Sequence, residues 1–229
     1  MAKIGIGVTS YNRPECLKEC LQHIFDYSDV GALDGMSKKD YWFGRTSDGK
    51  DITIYAATDT DEDRRGVAFR KNECLRALKD CDYVFLFDDD CFPIKDGWVD
   101  FFIDRNDPHL LFLNGDLHAY ILQTTESYRN CGGVFMYMTK ECIEKVGAFN
   151  EKFGTWGFEH AEYSKRIASV YNLEYAYNCK RGTANYLYAH DYSNRFNHKS
   201  SISNEDKQRY FNENFPKFKE PIKNIYIPL

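Results

Sequence analysis

Tyr83-Val84-Phe85-Leu86-Phe87-Asp88-Asp89-Asp90 is the stretch on which the fold turns. A short apolar run without polar alternation suits a β-strand buried on both faces, the kind found in parallel sheets. Upstream, Lys3-Ile4-Gly5-Ile6-Gly7-Val8-Thr9 alternates and predicts a first strand. Asn12 and Glu15 have capping-box spacing with Pro14 in the first turn. Leu17, Cys20, Leu21 and Ile24 then recur at helical spacing. Asp51 to Ala57 predicts a second strand, and Arg64 to Lys79 a helix with Val67, Cys74, Leu75 and Leu78 inward. Three strands with helices between them argue for a parallel α/β core with right-handed crossovers. Tyr27 to Lys50 has no sustained period and is either an irregular loop or a small hairpin around Tyr41-Trp42-Phe43.

After Pro93 the rhythm changes. Trp98 to Ile103 predicts a short helix, and Leu110 to Leu113, His118 to Leu122 and Gly133 to Met138 predict strands. Thr139 caps a helix that runs to Val146 and stops at Gly147. Glu159 to Val170 predicts another, with Tyr163, Ile167 and Val170 on one face. Leu173 to Tyr177 and Tyr186 to Ala189 are weaker strand signals, and Lys217 to Leu229 reads as a tail laid on the surface. With no repeat and no Ser/Gly linker, residues 1–229 are expected to form a single domain.

The 229 residues suffice for a sizeable core, and 17 Tyr with 17 Phe supply rings to fill it. A formal charge of -5 argues against broad nucleic-acid affinity, which needs Lys and Arg against phosphates. No apolar run is long enough to span a bilayer, and the first residues lack a signal-length apolar stretch. The expectation is a soluble cytoplasmic protein without an integral membrane segment. The eight cysteines include no C-x-x-C pair and are expected to be free thiols, mostly buried.

Asp88-Asp89-Asp90 is the sharpest chemical signal. Ligands of open α/β sheets gather outside the carboxyl ends of the strands, where these acids should lie. Adjacent carboxylates repel unless something positive sits among them. A hard cation, Mg2+ or Mn2+, would neutralise them and leave positions for phosphate oxygens. The plain alternative is an exposed acidic turn. Gly154 and Gly157 interleave with Trp156 and Phe158, so Trp156 is either a platform for a sugar or a buried anchor for its loop. Gly132-Gly133 marks either close approach of a ligand or an ordinary bulge.

These stretches together resemble the GT-A fold nucleotide-sugar glycosyltransferases, in particular the large family that contains cellulose, chitin, chondroitin-type and other polysaccharide transferases. The resemblance rests on Gly7-Val8-Thr9-Ser10-Tyr11-Asn12-Arg13-Pro14, Asp59-Thr60-Asp61, Arg70-Lys71-Asn72 and Phe87-Asp88-Asp89-Asp90 as the D-x-D motif. Its last block is Gly132-Gly133, Val146-Gly147-Ala148-Phe149-Asn150 and Trp156-Gly157-Phe158-Glu159-His160. It implies a GT-A-like α/β fold with a Rossmann-like, mostly parallel central sheet flanked by helices. Residues 1–105 would form the nucleotide-sugar half, 106–190 the acceptor half and 191–229 a C-terminal lid or tail.

Carried onto these positions, the resemblance implies that Thr9, Tyr11, Asn12, Asp59, Asp61, Arg70, Asp88 and Asp89 hold the nucleotide sugar. Asp88 and Asp90 would serve a divalent metal, Mn2+ or Mg2+, with His190 as a third ligand and His198 its competitor. Gly132, Gly133 and Trp156 would meet the acceptor. Glu159-His160 stands where many inverting relatives have Glu-Asp, so the base is either Glu159 or His160, with Glu159 favoured, and inversion is expected. The activity implied is transfer of a hexosyl or pentosyl group from a nucleoside diphosphate sugar to a hydroxyl on a glycan, lipid, protein or modified nucleobase. Nucleic acid enters only as an acceptor. The alternatives are a retaining transferase of the same fold, a nucleotidyltransferase, or an inactive nucleotide-sugar or glycan-binding protein. A Rossmann dehydrogenase is disfavoured because Gly5-x-Gly7 lacks the third glycine.

Overall fold

The computed structural model describes residues 1–28, 40–112, 121–122, 125–128, 132–190 and 202–229. In chain order the strands are β1 (Lys3–Tyr11), β2 (Tyr41–Arg45), β3 (Asp51–Asp59), β4 (Tyr83–Asp88), β5 (Cys91–Pro93), β6 (His109–Phe112), β7 (Ile121–Leu122), β8 (Thr125–Tyr128), β9 (Gly132–Thr139), β10 (Tyr177–Lys180) and β11 (Leu187–Ala189). The helices are α1 (Pro14–Tyr27), α2 (Val67–Ala77), α3 (Trp98–Ile103), α4 (Lys140–Val146), α5 (Glu159–Tyr171) and α6 (Asn204–Lys219).

The main sheet has the order β2-β3-β1-β4-β9-β6. Its centre, β3-β1-β4, is parallel, whereas β2 and β9 run the other way. The sheet is therefore mixed, with a parallel heart. β4 shows why: Phe85 and Phe87 face one apolar cluster with α1, α3, Trp98 and Phe135. Val84 and Leu86 face a second cluster with α2, α4 and α5. All four are at most 1% exposed, so the strand is the middle of three layers. Helix α2 lies close against β1, because a Cβ on Gly7 would stand 2.7 Å from Cys74 Cβ and from Leu86 Cδ2.

The predicted first strand, buried strand, short helix at Trp98 and Thr139 cap are all present, the last with Thr139 Oγ1 accepting from Cys142 N. The hairpin alternative holds for Tyr41-Trp42-Phe43, which pairs antiparallel with β3; residues 29–39 lie outside the described residues. So do most of the strand expected at His118 to Leu122, Cys131 and His198. The seven described cysteines are free, six of them buried.

Four expectations need correction. The capping box fails: Asn12 has φ +50 and gives its N–H to Asp59 O, so Arg13 becomes the N-cap without a side-chain cap bond. The helix expected from Arg64 begins at Val67, because Asp59 accepts from the N–H groups of Arg65 and Gly66 and holds them in a turn. The strand expected at Leu173 to Tyr177 lies later, at Tyr177–Lys180, where it finds a partner in β8. The tail expected from Lys217 begins at Glu220 instead, after α6, a 16-residue helix with Pro216 inside it.

α5 is pinned to the sheet by a buried histidine. His109 Nδ1 donates to Tyr137 O at 2.8 Å, and the Ser164 hydroxyl lies 2.8 Å from Nε2, where it can only donate. Burial pushes the His109 imidazole down to about 4. A free histidine titrates near 6.5, so between those values the unfolded chain binds the extra proton and the folded one does not. Stability should therefore be full above about pH 6.5 and fall as pH drops toward 4, by roughly 3 kcal/mol. Denaturant titrations from pH 4 to 8 should show that slope, and His109→Gln should remove it whatever it does to stability at pH 8.

Candidate active site

The register of the parallel strands assembles the site. Thr9 pairs with Asp88, and Tyr11 with Asp59, across the carboxyl ends of β1, β4 and β3. A cleft opens there, lined by Thr9, Tyr11, Asp59, Arg70, Asp88, Asp90, Trp156 and His190 among the expected residues. Its further lining includes Arg13, Val67 and Lys207, which sequence reasoning passed over.

The acidic triplet is held by side chains from three elements. Thr9 Oγ1 donates to Asp88 Oδ1 at 2.9 Å, and Ser10 Oγ to Asp89 Oδ2 at 2.5 Å. Arg13 forks between the next two acids, with Nη1 at 2.9 Å from Asp90 Oδ2 and Nη2 bound to Asp89 Oδ1. Asp89 is fully buried beneath the cleft rather than on its wall. Burial pushes its carboxyl up to about 7 against the pull of Arg13 and Ser10.

The second cation is Lys71, 1% exposed. Its Nζ lies 3.5 Å from Asp88 Oδ1 and 3.3 Å from Glu159 Oε1, and donates to Gly133 O at 3.1 Å. Burial alone would raise the Glu159 carboxyl, but Lys71 and His160 more than reverse this and hold it well below the usual range. Glu159 is 4% exposed and lies behind the cleft wall. Its Oε2 is buried without a hydrogen-bond partner among the described residues. His160 Nδ1 is 3.5 Å from Glu159 Oε1, and its ring occupies the space where Gly133 lacks a side chain: a Cβ there would stand 2.4 Å from His160 Cγ.

On the other wall, Asp59 accepts from Arg65 N at 2.9 Å, Gly66 N at 2.7 Å and Arg70 Nε at 2.6 Å. Arg70 also binds Glu73 at 2.7 Å and Asp63 at 2.8 Å, so its fork is spent on the protein. Tyr11 donates its hydroxyl to Asp61 Oδ1 at 2.6 Å, and Arg64 lies 4.4 Å over the Tyr11 ring. Asn12 is not among the residues that line the cleft, and its backbone N–H is bound to Asp59 O.

His190 reaches the triplet by strand pairing. β11 pairs antiparallel with β5, Ala189 opposite Cys91, and one step on His190 N donates to Asp90 O at 3.0 Å. Nothing local in the sequence announces that pairing, because the strands are three residues each and far apart.

Among the described residues no three His, Cys, Asp or Glu side chains are gathered into a ready-made metal cage. The donor chemistry nonetheless fits a hard or borderline divalent ion: Asp88, Asp90 and His190 line the same cleft. The triplet and Glu159 carry four carboxylates against the two ion-paired cations Arg13 and Lys71, which leaves two formal negative charges. The positive charge expected among the triplet is supplied in part by the side chains of Arg13 and Lys71.

A family model described as the N-terminal domain of galactosyltransferase matches residues 119–191. No curated protein matches the chain. The sheet order and flanking layers define the GT-A fold, and a solved structure of GalNAc-T7 with UDP, GalNAc and Mn2+ overlaps 94% of this chain at TM-score 0.51 and 10% identity. The chain spans half the length of that protein. The crystal structure of A197 from STIV overlaps 64% of this chain and 69% of its own at TM-score 0.37 and 14% identity.

Removing Lys71 strands Glu159. Lys71→Met should cost about 3–5 kcal/mol, the usual consequence of breaking a buried pair from one side. Adding Glu159→Gln in the same chain should recover part of it, so the double variant should show the higher midpoint in urea.

Proposed function

We propose that this chain is a glycosyltransferase that moves a sugar from a nucleoside diphosphate sugar to a hydroxyl acceptor with the help of a divalent cation. The observation that carries the reading is the cleft at the carboxyl ends of β1, β3 and β4, which Asp88, Asp90 and His190 line together. The galactosyltransferase family match over the acceptor-side segment supports it, as does a fold shared with a protein solved with UDP and Mn2+.

In this reading Tyr11 and Asp59 line the place of the nucleoside, and Asp88, Asp90 and His190 hold the cation. A bound cation supplies charge stabilisation to the leaving diphosphate. The acceptor oxygen forms a bond to the anomeric carbon while the carbon–oxygen bond to the diphosphate breaks, and its electron pair leaves with the phosphate. A base takes the hydroxyl proton. Glu159 was the favoured candidate, but a buried carboxylate held so acidic by Lys71 is a weak base. We assign the base to His160 and give Glu159 the task of orienting it through Nδ1, which favours inversion. Trp156, which lines the cleft, is the residue that meets the acceptor. The hydroxyl class is open among glycan, lipid, protein and modified nucleobase. Among the described residues no helix is long and apolar enough to cross a membrane.

Calorimetric titration with a panel of nucleotide sugars, in EDTA, Mg2+ and Mn2+, tests the reading. One donor should bind only with metal, and Asp90→Ala should weaken it by tenfold or more. The failure of every donor with every metal would leave the fold without the activity.

A further inference from the structure

Lys207 stands in the first turn of α6 and lines the same cleft as Asp88, Asp90 and His190. The other cations of the lining are committed. Arg13 is bound to Asp89 and Asp90, and Arg70 to Asp59, Asp63 and Glu73. The Lys207 ammonium has no ion pair or hydrogen bond among the described residues, although the residue is half-buried.

Its position is fixed by the helix that carries it. Asn214, 1% exposed, donates from Nδ2 to Phe153 O at 2.7 Å and to Trp156 O at 2.8 Å. The rings of Phe211, Phe215 and Phe218 pack around Phe158 at 5.0–5.8 Å. Nearer the cleft, Tyr210 is buried, and Arg64 lies over both its ring at 5.9 Å and that of Tyr11 at 4.4 Å. α6 is thereby fastened both to the Trp156 loop and to the end of β1.

An uncommitted ammonium in the same cleft as Asp88 and Asp90 selects an anionic ligand that can meet those carboxylates only through a cation. We propose that Lys207 is a donor-site residue that binds the terminal phosphate of a nucleoside diphosphate and stabilises it as the leaving group. When the anomeric carbon–oxygen bond breaks and its electrons pass to that phosphate, Lys207 keeps its protons and supplies charge and hydrogen bonds. The inference rests on the nucleotide-sugar reading above and adds to it a residue of α6.

The test is calorimetry with UDP, GDP, ADP, CDP and dTDP and the five matching monophosphates, each with Mn2+. The wild type should bind at least one diphosphate. For it, Lys207→Ala should weaken binding by tenfold or more, as loss of a charge-assisted hydrogen bond does. The matching monophosphate should change by less than threefold, and Lys207→Arg should restore most of the loss. Unchanged diphosphate binding in Lys207→Ala, or equal losses for diphosphate and monophosphate, would overturn the assignment while leaving the transferase reading intact. A wild type that binds none of the nucleotides would overturn both. Thermal unfolding of each variant separates loss of binding from loss of fold, and because the Lys207 ammonium has no ion pair or hydrogen bond among the described residues the midpoint should stay unchanged.

Discussion

Two cations carried by different elements make this acidic site possible. Arg13, at the start of α1, spans Asp89 and Asp90, and Lys71, inside α2, spans Asp88 and Glu159. Without them the end of β4 would concentrate carboxylates in a poorly solvated corner, and the protein would have to protonate them or open. Because both cations sit on helices that pack against β1, the electrostatics of the cleft and the packing of the sheet are one problem. The closeness of α2 to Gly7 is what lets Lys71 reach across to the acidic corner.

The architecture then divides the labour between parallel and antiparallel pairing. The parallel heart sets Thr9 beside Asp88 and Tyr11 beside Asp59 through register alone. The antiparallel additions bring in further groups: β9 delivers Gly133 to Lys71, and β11 delivers His190 to Asp90. α6 closes the assembly from outside the sheet through Asn214 and an aromatic cluster. Parallel pairing builds one part of the cleft, and antiparallel pairing completes it.

This division explains what could be read from the sequence. β1 and β4 were legible because continuous or alternating apolar runs have few other uses, and the position of Asp88 to Asp90 followed from the end of β4. Arg13 and Lys71 were not legible as counter-ions, since a charged residue in a helix pattern is most often solvated and their burial depends on the tertiary fold. β5 is too short to carry a period of its own. α6 was hidden because Tyr210, Phe211, Phe215 and Phe218 are scattered among Asn, Glu and Lys and interrupted by Pro216. The sign that would have found it is the cap at Ser203, whose hydroxyl accepts from Asp206 N, followed by rings at helical spacing. Asn12 misled for a local reason: its spacing suits a cap, but β3 claims its backbone and turns it left-handed.

Gly133 and His160 occupy one volume between them, the imidazole filling what the glycine leaves empty. The two positions are therefore coupled in space, and a substitution at one constrains the other. Any side chain acquired at 133 evicts the ring at 160, and with it the partner of Glu159. Drift at either position in descendants of this chain must be answered at the other, so the pair should covary although 27 positions of sequence separate its members. A lineage that exchanged His160 for a smaller residue would be the one free to lose Gly133.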